Sequence, residues 1–257
     1  MPDEYTHTPV TVVGKSAVVI GGTSGIGRAI ALGFATEGAD VVASSRDESR
    51  VDDVTRELEE LGATTAAITC DVRETDDVRE LVDVAFETMG DVDVLVNCAG
   101  VVSRDHLTEL DEKTWNRDVD VLLSGVYRAC KHFAREMDRG SIVNISSMSA
   151  EQAREKRTAY CAGKAGLDGF TRAAAADLAP EIRVNGIAPG FVETPITEGA
   201  YDEGTEKREI IDRRSPIPRV ASPNEIVGAA IYLASDAASF TTGEIVRIDG
   251  GYSPASI

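Results

Sequence analysis

The chain has 257 residues, 27% of them charged, and a formal net charge of −18 at pH 7. That length suits one large α/β domain or two small ones, either able to bury a full core, and so acidic a surface repels phosphate and excludes a nucleic-acid binder. No apolar run approaches the roughly eighteen residues of a membrane helix, and the polar start MPDEYTHT has neither the basic n-region nor the apolar h-region of a secretory signal.

Strand-like apolar runs alternate with helical patterns from end to end. SAVVI (16–20) predicts a strand, followed by a helix over 25–37 and a second strand, DVVASS (40–45). A charged amphipathic helix around 49–61 leads to TAAIT (65–69), and a helix near 75–89 precedes VDVLVN (92–97). Long helices fit 114–137 and 158–178, separated by the strand SIVNIS (141–146); EIRVNGI (181–187) and EIVRID (244–249) close the series. Seven strands alternating with helices predict an α/β fold, a doubly wound, Rossmann-like parallel sheet covered by helices on both faces. With no repeat or low-complexity linker, residues 1–257 read as a single domain with an N-terminal extension over 1–13.

Cys70, Cys98, Cys130 and Cys161 lack C-x-x-C spacing and read as free, mostly buried thiols in a reducing cytoplasm. His7, His106 and His132 are scattered, so no metal site is expected. Acidic residues are spread along the chain and only six of the 26 basic residues are Lys. Such a surface is similar to that of halophilic cytoplasmic proteins, where high salt screens self-repulsion; an ordinary acidic bacterial protein is the alternative.

Directly after the first strand comes GGTSGIGRA, in which Gly21, Gly25 and Gly27 stand with Thr23, Ser24 and Ile26 at the opening of a helix. Glycines here let the backbone turn tightly and approach a pyrophosphate, whose charge then sits at the helix N-terminus. The spacing G-x-x-x-G-x-G differs from G-x-G-x-x-G, and an ordinary strand-to-helix turn is the alternative; its place at the first β–α junction favours a dinucleotide site. About twenty residues on, where an NAD enzyme would present an acid to the ribose, stand Ser44, Ser45 and Arg46. Hydroxyls and a planar cation suit a 2′-phosphate, so NADP is favoured and NAD remains possible. A solvated surface cation is the alternative for Arg46.

The stretch TAYCAGKAG (158–166) puts Tyr160 and Lys164 one helical turn apart, on one face. Six Tyr and six Lys would produce such a pair by chance roughly 0.14 times. Its register with other motifs decides. Gly21, Gly25, Ile26 and Gly27 are followed in order by Asp71–Val72, by NCAG with Asn97, Ala99 and Gly100, and by Ser147, thirteen residues before Tyr160. Then come PGFVET, with Pro189, Gly190, Val192 and Thr194, and the ending LASDAASFTTGEIVRIDGG.

From about residue 14 to 252 the chain resembles the short-chain dehydrogenase/reductase family in its compact one-domain branch, although Ile20 stands where Thr is common. The resemblance implies Ser147, Tyr160 and Lys164 as catalytic residues. It implies Asp71 and Val72 beside adenine, Asn97, Ala99 and Gly100 along the cofactor, Pro189 to Thr194 at the nicotinamide carboxamide, and Lys164 at the nicotinamide ribose. It also implies a homotetramer. The chemistry fits. A Tyr with a pKa near 10 must shift by about three units, roughly 4 kcal/mol, to serve as base near pH 7. A cation ~5 Å away at an effective dielectric of ~20 supplies about 3 kcal/mol, and the cationic nicotinamide supplies the rest. Ser147 would hydrogen-bond the substrate oxygen, and the small Ala162, Gly163, Ala165 and Gly166 would keep the face open to cofactor and a neighbouring helix.

Two departures stand out. Leu122 occupies the position of the family's fourth catalytic residue, an Asn at a helix kink that holds a proton-relay water; the relay survives if the kink does, or Asp118, Asp120 or Ser124 alter its path. The segment 151–157, EQAREKR, is charged where relatives carry Gly and apolar residues. There Arg154 or Arg157 would pair with a substrate carboxylate or phosphate, a solvated loop or subunit contact being the alternative. The polar stretch 195–214 is expected to form a substrate lid. The expectation is therefore an NAD(P)-dependent oxidoreductase interconverting a secondary alcohol and a ketone with Tyr160 as acid/base, on a sugar, sugar acid or other polar hydroxy or oxo acid. A 3-oxoacyl thioester reductase is the alternative, and a non-catalytic dinucleotide-binding regulator the alternative of another class.

Overall fold

The computed structural model describes residues 7–253; residues 1–6 of the expected N-terminal extension lie outside them. Short runs of β-branched and small apolar residues form six strands: β1 (Ser16–Ile20), β2 (Asp40–Ser44), β3 (Val94–Asn97), β4 (Gly140–Ile145), β5 (Ile182–Pro189) and β6 (Ile245–Ile248). All pair in parallel, in the order β2-β1-β3-β4-β5-β6. Successive side chains point to opposite faces, so β1 sends Ala17 and Val19 into one core and Val18 and Ile20 into the other.

The helices are α1 (Gly25–Thr36), α2 (Glu48–Glu60), α3 (Thr75–Met89), α4 (Glu112–Val119), α5 (Gly125–Glu136), α6 (Thr158–Leu178), α7 (Glu206–Arg214) and α8 (Asn224–Ala234). Helices α1, α2 and α8 cover one face with Ile30, Phe34, Leu58 and Leu233. Helices α3, α5 and α6 cover the other with Leu81, Phe133 and Leu167. This is the expected doubly wound α/β fold.

Among the described residues it has six strands, not seven. The segment 65–69 lies beside β2 but bonds only at its ends: Val41 N–H donates to Thr64 O at 3.0 Å, and Cys70 N–H to Ser45 O at 2.9 Å. A single parallel bridge joins Ser45 and Thr69. Ala66 and Ile68 still pack against the core, which explains the strand-like apolar pattern without a ladder.

The helix expected over 114–137 is also broken. Between α4 and α5, residues Asp120–Ser124 form a π-helical turn, closed by the Gly125 N–H donating to Asp120 O. The extra residue accommodated by an i→i+5 bond re-aims the helix at this point. The order of the strands reverses between β1 and β3, and a crevice opens there beyond the strands' carboxyl ends, as in other open α/β sheets. A cavity of about 510 Å³ occupies it.

Candidate active site

The glycine loop forms the floor of this cavity. Gly21 has φ +79°, and a Cβ there would lie 2.6 Å from the Ala99 nitrogen; a Cβ on Gly27 would lie 2.1 Å from Gly21 O. Only glycine lets the loop and the first turn of α1 close on each other and on the chain after β3. The N-cap Ser24 makes no side-chain cap and the first turn carries no acid, so the N–H groups of α1 stay open to an anion. Thr23 Oγ1 donates to Ser45 Oγ at 2.8 Å and ties the loop to the end of β2. A pyrophosphate therefore fits this cradle.

Beyond β2, Arg46 is 61% exposed and lies 3.8 Å from Asp71 Oδ2. Arg50, in the first turn of α2, also lines the cavity and pairs with Asp47 at 3.2 Å. Arg73 Nε donates to both carboxylate oxygens of Asp71, at 3.0 and 3.1 Å. That bond holds the Asp71 carboxyl below the usual carboxylate range, against the opposing effect of burial.

Ser147 lies two residues beyond the end of β4, and its Oγ accepts from Ser149 N–H at 3.1 Å. Tyr160 and Lys164 occupy the first two turns of α6. Lys164, 5% exposed, donates from Nζ to Ile145 O at 2.6 Å, with Nζ 5.9 Å from the Tyr160 ring centroid. Burial pushes the Lys164 ammonium down to about 8, with Cys98 and Asp168 acting the other way. Burial raises the Tyr160 pKa; a hydrogen bond with Ser147, then Arg157 and Arg154, act to lower it. Ser147 and the two arginines thus join Lys164, held at the β4 carbonyl, around the phenol. The guanidinium of Arg154 lies 4.7 Å from the Phe191 centroid, and Phe191 packs edge-on against Tyr201 at 5.6 Å.

The family model described as enoyl-(acyl carrier protein) reductase matches residues 21–253. A cis-4-hydroxycyclohexanecarboxylate dehydrogenase from Sinomonas cyclohexanicum is 40% identical, over 93% of this chain and 96% of its own. The chain belongs to the short-chain dehydrogenase/reductase family. A second relative, a 3-oxoacyl-[acyl-carrier-protein] reductase from Thermotoga maritima, is 37% identical over 93% of this chain and 97% of its own. A solved structure from Beutenbergia cavernae, assigned as an NAD(P)-dependent gluconate 5-dehydrogenase and holding NADP at low occupancy, matches with a TM-score of 0.90. It is 35% identical, covering 96% of this chain and 100% of that one. As a short-chain dehydrogenase/reductase, the protein is an NAD(P)-dependent oxidoreductase acting on CH–OH groups.

Almost all residues expected at the cofactor and substrate sites of this short-chain dehydrogenase/reductase line the one cavity, Arg154 and Arg157 included. Gly27, Asn97 and the fully buried Ser44 do not. Gly27 is spent on the contact with Gly21. Asn97 is buried behind the wall, where its Nδ2 donates to Asn144 Oδ1 at 2.9 Å and joins β3 to β4. Gly163 and Gly166 of α6 serve packing: a Cβ on Gly163 would meet Leu122, and one on Gly166 would meet Leu123 at 2.9 Å. Leu122 is fully buried within the π-helical turn, so the kink persists without the Asn. Asp118 accepts from Ser103 N–H at 3.0 Å and Asp120 pairs with Arg128 at 2.8 Å, so both carboxylates are engaged elsewhere.

Three neighbours of the site escaped the sequence reading. Arg50 sits one turn beyond Arg46, a spacing that was visible. Asp168, one turn beyond Lys164 on α6, is buried and accepts a hydrogen bond from Ser146; burial raises its pKa, opposed first by that bond. Tyr201 lines the cavity from 41 positions further along than Tyr160, with no local pattern to mark it.

Proposed function

We propose that the protein interconverts a secondary alcohol and a ketone with NADP as preferred cofactor, and that its substrate is a polar hydroxy or oxo acid such as a sugar acid. The observation that carries this is the convergence of Ser147, Tyr160 and Lys164 with Arg154 and Arg157 in the cavity that the glycine loop floors. The bound nicotinamide supplies the hydride acceptor or donor. The chain's own residues do the rest. The open N–H groups of α1 and the loop from Gly21 to Ile26 hold the pyrophosphate. Ser45, Arg46 and Arg50 meet the 2′-phosphate with hydroxyl and guanidinium donors. Asp71 and Val72 flank the adenine, Ala99 and Gly100 line the path between, and Pro189, Gly190, Val192 and Thr194 hold the carboxamide. Lys164 reaches the nicotinamide ribose.

Ser147 Oγ hydrogen-bonds the substrate oxygen and steadies its developing charge. Tyr160 takes the hydroxyl proton in oxidation and returns it in reduction. Arg154 and Arg157 donate to the substrate's carboxylate in bidentate geometry, and the segment 195–214 closes over it. A 3-oxoacyl thioester is the second substrate class, favoured by the 37% identity to the Thermotoga maritima reductase. The working form is a cytoplasmic homotetramer adapted to high salt, in keeping with the net charge of −18.

Nicotinamide absorbance during turnover tests this, with NADP and NAD separately, at low and multimolar salt, over sugars, sugar acids, acyl thioesters and simple ketones. Turnover of an acid that disappears in Tyr160→Phe, with cofactor binding retained, is the expected outcome. Cofactor binding without turnover of any carbonyl would favour the non-catalytic regulator.

A further inference from the structure

Arg154 and Arg157 do not stand alone. Arg104, on the segment between β3 and α4, donates from Nη2 to Ile196 O at 3.2 Å, which ties that segment to the chain following β5. Lys207 projects from the first turn of α7. Arg157 is depressed by burial and then by Arg104 and Arg154, and Lys207 by burial and then by Arg157, Arg104 and Arg154. The Tyr201 phenol feels the same three guanidinium groups. Arg154 and Arg157 line the cavity with Tyr201 and with Ile196, whose carbonyl holds Arg104, and Lys207 feels all three guanidinium groups, so four cations from three separate segments share one neighbourhood at the cavity.

None of the four has a carboxylate within 4.0 Å among the described residues, whereas twelve other Lys and Arg side chains do. Ten further Lys and Arg also lack such a partner among the described residues, so what is unexpected in a chain with 44 acidic against 26 basic residues is the grouping of four unpaired cations in one place. It costs mutual repulsion in the empty protein, which an anion relieves. A single carboxylate is satisfied by one guanidinium fork. Four cations exceed that need.

We propose that Arg104, Arg154, Arg157 and Lys207 form a subsite for a doubly charged oxyanion, and that the substrate carries two negative charges at the end remote from its reacting carbon. The chemistry is shared by a phosphate monoester and a pair of neighbouring carboxylates. Arg154 is held in place by the Phe191 ring and Arg104 by the Ile196 carbonyl, so both present their remaining N–H groups without further ordering. Lys207 links the charge to the segment 195–214, so that anion binding draws α7 toward the cavity mouth. This deepens the hydroxy-acid reading and rests on it for the position of the reacting carbon.

The test is calorimetric titration of the dinucleotide-saturated protein with acetate, malonate and inorganic phosphate at one fixed ionic strength. Saturating the dinucleotide site keeps phosphate off the glycine loop. Saturable binding of malonate or phosphate about tenfold tighter than acetate is expected, reduced about tenfold by Arg104→Gln or Lys207→Gln and unchanged by Arg56→Gln on the exposed face of α2. Tighter binding of phosphate assigns a phosphate ester; tighter binding of malonate assigns paired carboxylates. Equal affinity for mono- and dianions, absence of saturable binding, or affinities insensitive to Arg104 and Lys207 overturns the proposal. Turnover lost in Tyr160→Phe reports on the oxidoreductase chemistry separately, so the failure of one is not mistaken for the failure of the other. Melting temperatures of the variants confirm that each is folded.

Discussion

Leu122 packs directly on Gly163: a Cβ at position 163 would lie 3.0 Å from Leu122 Cβ and 3.1 Å from its Cδ1. The contact joins the π-helical turn to α6 immediately before Lys164. This chain thus uses an apolar side chain to fasten the kink to the helix that carries Tyr160 and Lys164. The turn keeps its geometry through packing.

Gly163→Ala is therefore expected to destabilise the fold by about 1–3 kcal/mol, the usual cost of overpacking. Leu122→Ala should cost about 2–5 kcal/mol by opening a cavity. The double variant should lose clearly less than the sum of the two, because the new methyl fills the space the leucine vacates. Denaturant unfolding of the four proteins checks this; strict additivity would show that the two residues do not share a contact.

Lys164 ionises at about 8 in the fold, against 10.5 for a free lysine. Below about 8 the folded and unfolded chains both hold the proton, so the burial penalty is constant. Between about 8 and 10.5 only the unfolded chain holds it, and stability rises with pH by up to about 3 kcal/mol. In Lys164→Met this rise is absent, so the stability of the wild type relative to the variant should climb across that window. Cys70 and Cys130, pushed up by burial from 9.0 to about 12, act oppositely above pH 9 but do so in both proteins. A flat difference in pH-dependent unfolding would mean that the lysine is solvated.

Burial raises the Tyr160 phenol above its ordinary pKa. The phenol, the form needed to donate a proton in reduction, is fully present below that pKa and is lost above it. The phenolate needed for oxidation has the reverse dependence. Rates of oxidation should rise toward alkaline pH while rates of reduction hold level through neutrality and then fall. Initial-rate pH profiles in the two directions, run at saturating cofactor, measure it; an oxidation rate that is level from pH 6 to 10 would contradict a titrating phenol.

Arg46 is only loosely paired with Asp71, at 3.8 Å, and Arg50 lies one turn further along the same rim of the cavity. Arg46→Asp should lower kcat/KM for NADP by about 100-fold relative to NAD, since it replaces a donor to the 2′-phosphate with a repelling charge. Arg50→Gln should move the ratio in the same direction by less. Unchanged ratios in both variants would return the two arginines to the role of surface cations.

The strands and helices were legible because their cause is local. Short apolar runs mark the strands, continuous in β1 and β3 because both faces of the sheet are buried, and the boundaries of α3 and α6 coincide with their amphipathic runs. The candidate triad was legible for a related reason: Tyr160 and Lys164 are neighbours by helical geometry, and Ser147 stands two residues beyond β4, at the start of the segment that leads to them. The segment 65–69 misled because burial of Ala66 and Ile68 imitates a strand, while the ladder depends on hydrogen bonds to β2 that the pattern does not encode.

By itself, then, the sequence determined the alternating α/β architecture, the glycine loop at the first β–α junction and the spacing of Ser147, Tyr160 and Lys164, all set by residues within a few turns of one another. Only the tertiary structure decided that Asn97 braces β3 against β4, that Lys164 turns to the Ile145 carbonyl, and that Leu122 seats on Gly163. It alone gathered Arg104 and Lys207 around Arg157, each about fifty residues away along the chain. The physical reason is common to all of these. They are through-space distances set by how distant segments pack, and charge, burial and hydrogen bonding respond to those distances rather than to position in the chain.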